Sequence, residues 1–137
     1  MNINSQEKPV ATVDLTKENF QETVTNNDIV IVDFWAAWCG PCKAFAPVFE
    51  KVAEANTDIT FAKVDTDAQR ELAQGFQIRS IPTLMIFREQ IVVFSQPGMV
   101  PEQGLEELIK QVKGLDMDEV RAEVAKQQAE AEGQKPN

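Results

Sequence analysis

From Ile29 to Trp35 the chain is apolar at every position except Asp33. A strand with two apolar faces must be covered on both sides, so this run predicts a central strand. Residues 59–64, Ile-Thr-Phe-Ala-Lys-Val, read as the next strand. Between the two, residues 43–55 place Phe45, Val48, Phe49 and Val52 at helical spacing, with Pro47 inside the pattern and a kink expected there. Strand, helix and strand make a β-α-β unit with a right-handed crossover. Ahead of it, residues 10–14 form a short strand, and Thr16 can cap a helix reaching about Val24. After it come a short helix over 69–76 and two strands, 83–87 and 91–95, joined as a hairpin across Arg88-Glu89-Gln90. That turn lacks the usual glycine.

Pro101 opens an amphipathic helix over 102–112, and Gly114 reads as its stop. Asp116 with Glu119 three residues later resembles a capping box. It would open a further helix to about residue 130, with Val120 and Val124 on one face. Residues 133–137 are expected to fray. The pattern contains no internal repeat and no low-complexity tract.

Composition narrows the function more than the fold. The 137 residues carry a net charge of -9 and no histidine. Without a basic stripe to neutralise phosphates, a nucleic-acid partner is excluded. No segment approaches the ~20 consecutive apolar residues of a membrane span. Residues 1–9 lack the basic and apolar regions of a secretory signal, so a cytoplasmic location is expected. The absence of histidine removes the commonest general base and the commonest metal ligand together.

The only cysteines stand together in Trp38-Cys39-Gly40-Pro41-Cys42, where a strand hands over to a helix. A zinc site needs about four ligands, and two thiols without histidine do not supply them. A disulfide closing so small a loop constrains little of the unfolded chain. Two inert core cysteines leave the Trp-Cys-Gly-Pro-Cys setting unexplained. A redox-active dithiol accounts for both the spacing and the setting. Cys39 falls at the helix N-terminus, where unpaired amides and the helix dipole favour a thiolate, and it should be the more exposed sulfur. It is expected to attack and Cys42 to resolve. Gly40 permits a tight approach, and Pro41 starts the helix with a fixed φ and no wasted donor.

Asp33 is the second informative residue, because a carboxylate within an apolar strand loses hydration and its pKa should rise. It is either a buried aspartate satisfied by a hydrogen bond or by Lys63, or a base that accepts the Cys42 proton. Lys63 is equally open to reading as a snorkelling strand lysine.

In order and spacing, the stretch Asp33-Phe34-Trp35-Ala36-Ala37-Trp38-Cys39-Gly40-Pro41-Cys42-Lys43, followed by Ile81-Pro82-Thr83 and Gly98, resembles the thioredoxin family. The resemblance covers roughly residues 10–112. It implies an α/β fold with a central five-stranded mixed sheet flanked by helices, to which this chain adds a C-terminal helix. It implies that Pro82 is the family's cis-proline, facing the dithiol, and that Lys63 stands near the buried aspartate. It also implies a substrate groove formed by Trp38, Gly40, Pro41, Ile81, Pro82, Gly98 and Met99, with Trp35 a structural shield beneath the site. The departures are the turn without glycine, Pro101 in place of a polar cap, and the length beyond the usual end.

The function so implied is reduction of protein disulfides by the Cys39–Cys42 dithiol, with no cofactor and no metal held by the chain. Electrons would come from a separate thioredoxin reductase, by resemblance a flavoprotein using NADPH, since no Gly-rich dinucleotide loop is present. The domain is expected over residues 1–113, with 114–137 as a helical extension. An oxidase or isomerase of exported proteins shares the fold but commonly carries histidine between its cysteines. A binding module with an incidental dithiol is the third reading, and a variant lacking both thiols would expose it.

Overall fold

The structure is a computed structural model that describes residues 11–133. The expectations for residues 1–10 and for 134–137 lie outside the described residues. Two compact units divide the chain, Met1–Glu106 and Glu107–Asn137.

The first unit is built on a five-stranded sheet in the order β1-β3-β2-β4-β5. Its strands are β1 (Thr12–Asp14), β2 (Ile29–Trp35), β3 (Thr60–Asp65), β4 (Thr83–Arg88) and β5 (Ile91–Pro97). β3 runs parallel to both β1 and β2, while β4 runs antiparallel to β2 and β5. β2 is therefore the middle strand, as its double-sided apolar character predicts, and six of its seven residues are buried. Alternation divides them between the two faces. Val30, Val32 and Phe34 join Leu15, Val24, Ala62, Val64, Met85 and Phe87 in one core, with Phe20, Leu72, Phe76 and Ile78 packed against it. Ile31, Asp33 and Trp35 face the other way. There Ile31 stands beside Phe61 in register, and the Phe61 ring meets Phe49 edge-on at 5.4 Å.

Phe49 belongs to α2 (Gly40–Ala55), the crossover between β2 and β3. The helix continues through Pro47 and buries Phe45, Phe49 and Val52 at the predicted spacing. α1 (Phe20–Asn26) begins later than the sequence suggests. Thr16 and Asn19 instead bond reciprocally: the Thr16 amide donates to Asn19 Oδ1 at 2.7 Å and the Asn19 amide to Thr16 Oγ1 at 3.3 Å. This box closes a turn just before the helix. α3 (Arg70–Gly75) and α4 (Glu102–Lys113) fall where predicted.

The hairpin between β4 and β5 turns on two residues, Glu89 and Gln90, since Arg88 pairs with Ile91. Both adopt positive φ, 51° and 70°, the backbone that two-residue hairpins favour and that glycine or asparagine usually supplies. Left-handed backbone costs a side-chain-bearing residue about 1 kcal/mol. Gln90→Gly is therefore expected to stabilise the protein by about 1 kcal/mol, raising Tm by about 4 °C in a thermal melt.

In the second unit, the Gly114 amide closes the end of α4 by donating to Lys110 and Gln111 carbonyls at 3.1 Å. α5 follows as Met117–Gly133. Asp116 Oδ1 accepts from the amides of Asp118 at 3.0 Å and Glu119 at 3.2 Å, so the predicted cap forms. Met117 is buried, Val120 and Val124 are half-buried, and every residue of α5 beyond Val124 is exposed. Gly133, expected to fray, closes the helix.

Candidate active site

The site forms where β2 ends. Ala36 is fully buried, and its carbonyl accepts the Cys39 amide at 3.2 Å, turning the chain out of the sheet. Cys39 then serves as the N-cap of α2, with extended φ and ψ of -89° and 112°. Its Sγ accepts the Cys42 amide at 3.2 Å, the place a serine or aspartate oxygen takes at most helix starts. Pro41 lies in the first turn, where a missing N–H costs nothing. One helical turn brings the sulfurs together, and Cys39 and Cys42 are joined as a disulfide with Cα atoms 5.2 Å apart.

Two expectations change in detail. The predicted contrast in exposure is small, because the bonded residues are 5% and 3% exposed. A Cβ placed on Gly40 would meet nothing within 4 Å. Among the described residues no packing demands glycine there, and the space above it is open.

Facing the disulfide is the start of β4. The Ile81–Pro82 bond is cis, and the Ile81 carbonyl oxygen lies 3.7 Å from Cys39 Sγ. Ile81 and Trp35 pack against Ala36, Cys39 and Cys42. Gly98, at φ +100°, donates its amide to the Pro82 carbonyl at 2.8 Å and fixes the loop after β5 to the same spot. Met99 follows it, 47% exposed. Cys39, Cys42, Ile81, Pro82 and Gly98 are thus assembled from three separate segments.

Trp38 is 70% exposed. Its indole N–H donates to Asp67 Oδ2 at 2.9 Å, which orients the ring. Asp67 escapes a reading of motifs because it lies 29 residues away. The signal that could have found it is topological. β2 and β3 are parallel, so the loop after β3 emerges beside the loop after β2, at the sheet end where ligands collect in such folds. Thr66 binds the two together, its amide and hydroxyl donating to the Trp35 carbonyl at 2.8 and 3.0 Å.

Asp33, within β2, is only 1% exposed. Neither carboxylate oxygen has a hydrogen-bond partner among the described residues. Burial drives its pKa from 3.8 up to about 7, against a smaller downward pull from Lys63. Lys63 sits beside Asp33 in register, and its ammonium lies 5.0 Å from the centre of the Trp35 ring. Lys63 is thus the charged neighbour of Asp33, whose carboxyl, pushed up to about 7 by burial, stays within β2.

A dithiol that opens and closes at a helix N-terminus, beside a backbone edge and an exposed indole, defines a thiol–disulfide oxidoreductase. Residues 11–111 match the sequence profile of the Thioredoxin family. A Streptomyces coelicolor protein named "Putative thioredoxin 2" is 65% identical over 121 residues, covering 88% of this chain and 90% of that one. A thioredoxin of Alicyclobacillus acidocaldarius is 46% identical over 97 residues, 70% of this chain and 92% of its own. Among solved structures, a mutant thioredoxin from Halobacterium salinarum superposes with a TM-score of 0.70 at 33% identity, covering 80% of this chain and 97% of that one. The chain belongs to the thioredoxin family and is a thiol–disulfide oxidoreductase acting on protein disulfides.

Proposed function

We propose that this protein reduces disulfides in other proteins, with Cys39 as the attacking sulfur and Cys42 as the resolving one. The observation that carries the assignment is the Cys42 amide directed at Cys39 Sγ from the N-terminus of α2. In the reduced protein that donor and the helix dipole favour a thiolate on Cys39, and Cys42 has no equivalent position.

The Cys39 thiolate attacks one sulfur of the target disulfide. A mixed disulfide forms and the other target sulfur leaves as a thiolate, which takes a proton. Cys42 then gives up its proton, with Asp33 as the acceptor directly or through water, and attacks Cys39 Sγ. The Cys39–Cys42 bond forms as the bond from Cys39 to the target breaks, the second target sulfur leaves as a thiolate that takes up a proton, and the target departs with two thiols. Two electrons have passed to the target, and the closed pair is the state the structure holds. Lys63 supports this step by tempering the rise in the Asp33 pKa.

Trp38, Gly40, Pro41, Ile81, Pro82, Gly98 and Met99 form the docking surface in this reading. The open space above Gly40 and the exposure of Trp38 and Met99 support it. The dithiol is restored by a thioredoxin reductase, a flavoprotein drawing on NADPH. The chain itself needs no cofactor. Among the described residues no helix is long and apolar enough to cross a membrane. A pair that must be kept reduced suits the cytoplasm, which this reading assigns as its location.

Reduction of insulin disulfides, followed as turbidity with dithiothreitol or a reductase as electron source, is the direct test. Turnover no faster than the electron source alone would overturn the reading. The redox domain is proposed to be residues 1–113, with 114–137 an extension outside the chemistry. A chain ending at Val112 is therefore expected to reduce insulin at a rate within about twofold of the full protein, with a modest loss in Tm. Loss of turnover from a chain that still melts cooperatively would place the extension in substrate capture.

A further inference from the structure

Next to Trp38, an open cleft of about 180 Å³ is walled by Trp38, Thr66, Ala73, Ile78, Arg79, Ser80 and Ile81. Ile81 also packs against Cys39 and Cys42, and Trp38 precedes Cys39 in the chain, so the cleft adjoins the reactive pair. Four of the walls are apolar. Among the described residues Arg79 is the only charged side chain lining the cleft, and it has no ion-pair or hydrogen-bond partner there. The segment carrying it is held at both ends. The Ile78 amide donates to the Ala73 carbonyl at 2.9 Å, and the Thr83 hydroxyl donates to the Ser80 carbonyl at 2.6 Å. The backbone that carries Arg79 is thus anchored, and its side chain is exposed.

We propose that this cleft selects substrates, taking a glutamate or aspartate side chain that flanks the target cysteine and pairing its carboxylate with Arg79. The inference rests on the reading of the dithiol as a reductase of protein disulfides. A guanidinium offers a planar fork suited to a carboxylate, while the indole and the two isoleucines cover the methylene stem. The setting makes the cation informative. The chain as a whole carries a charge of -9 and repels acidic polypeptides at long range. A single unpaired arginine at the cleft therefore works by choosing among docked segments, not by drawing them in. Its effect belongs in KM, since a carboxylate paired with Arg79 takes no part in the exchange between sulfurs.

The test uses short peptides with one cysteine, disulfide-linked to a chromogenic thiol, and dithiothreitol to recycle the protein. Glutamate, glutamine or lysine is placed in turn at each of the three positions on either side of the cysteine. At one of these positions the full-length protein is expected to favour glutamate over lysine about three- to fivefold in kcat/KM, through KM, as a partly exposed ion pair allows. Molar salt should erase the preference. Arg79→Gln should level it, and Arg79→Glu should invert it. A preference that survives Arg79→Gln, or no preference at any position, overturns the proposal. Turnover of the glutamine peptides checks the underlying reading separately. If the wild-type protein reduces them without discriminating, only the role of Arg79 falls. If it reduces none, the reductase reading falls and this inference falls with it.

Discussion

Replacing Cys42 with serine is expected to turn the protein into a trap. Cys39 keeps its place as N-cap and its amide donor, so attack on a target disulfide proceeds. Nothing then displaces the target, because a serine hydroxyl does not resolve a mixed disulfide. Incubated with an oxidised substrate, the variant should accumulate a covalent adduct through Cys39 that mass spectrometry identifies and dithiothreitol releases. Cys39→Ser should hold no adduct, and its insulin turnover should fall to the level of the electron source alone. Adducts found at position 42 in the Cys39→Ser protein, formed as fast as those at position 39 in the other variant, would invert the assignment. The two thiols differ in their place on the helix far more than in exposure, so the result reads the effect of the helix N-terminus on sulfur.

Asp33→Ala carries the other large effect, and it acts in opposite directions on stability and rate. The folded-state pKa, about 7, lies above the unfolded value near 3.8. Ionising the carboxyl therefore destabilises the native state. The penalty is absent below about pH 3.8, grows between there and pH 7, and is constant above. At 1.36 kcal/mol per unit this is on the order of a few kcal/mol. The alanine variant should gain roughly 2–3 kcal/mol over the parent at pH 8, after allowance for the small cavity it leaves. That gain should vanish at pH 4. Resolution of the mixed disulfide should slow by roughly tenfold to a hundredfold, as expected when a proton acceptor is removed. Denaturant melts at both pH values, together with stopped-flow release of target from a preformed adduct, measure the two effects. A variant no more stable at pH 8 than the parent, with undiminished release, would strip Asp33 of its role.

The parts of this molecule legible in its sequence are those that a local pattern dictates. The double-sided apolar run at Ile29–Trp35 could only be an inner strand, and the spacing of Phe45, Phe49 and Val52 could only face a sheet. Asp33 stood out because a charge in such a strand has no local explanation. What stayed hidden depends on contacts between distant segments or on backbone that side-chain chemistry does not announce. Glu89 and Gln90 bend left-handed although neither is a usual residue for it, because strand pairing on either side leaves only two residues to turn with. The Thr16 hydroxyl accepts the amide three residues on, as a cap does, yet α1 begins only after Asn19 because a separate turn comes first. Asp67 and Arg79 reach the site only because the sheet folds their loops beside Trp38. The resemblance to a known family supplied what neither pattern nor propensity offers, namely the cis geometry before Pro82.

A sulfur that caps a helix has a consequence for how the protein holds electrons. The amide and dipole that draw a thiolate onto Cys39 stabilise the reduced form, and whatever stabilises the reduced form of a dithiol makes it less willing to give its electrons away. Readiness to attack and strength as a donor are therefore set against each other by one hydrogen bond. In the proposed mechanism Asp33 loads the opposite side of this balance, since the buried carboxylate that accepts the Cys42 proton opposes negative charge on the sulfurs once it has ionised. The working potential of the protein is thus a compromise between a helix end and a strand, and it should drift with pH around the value where Asp33 titrates.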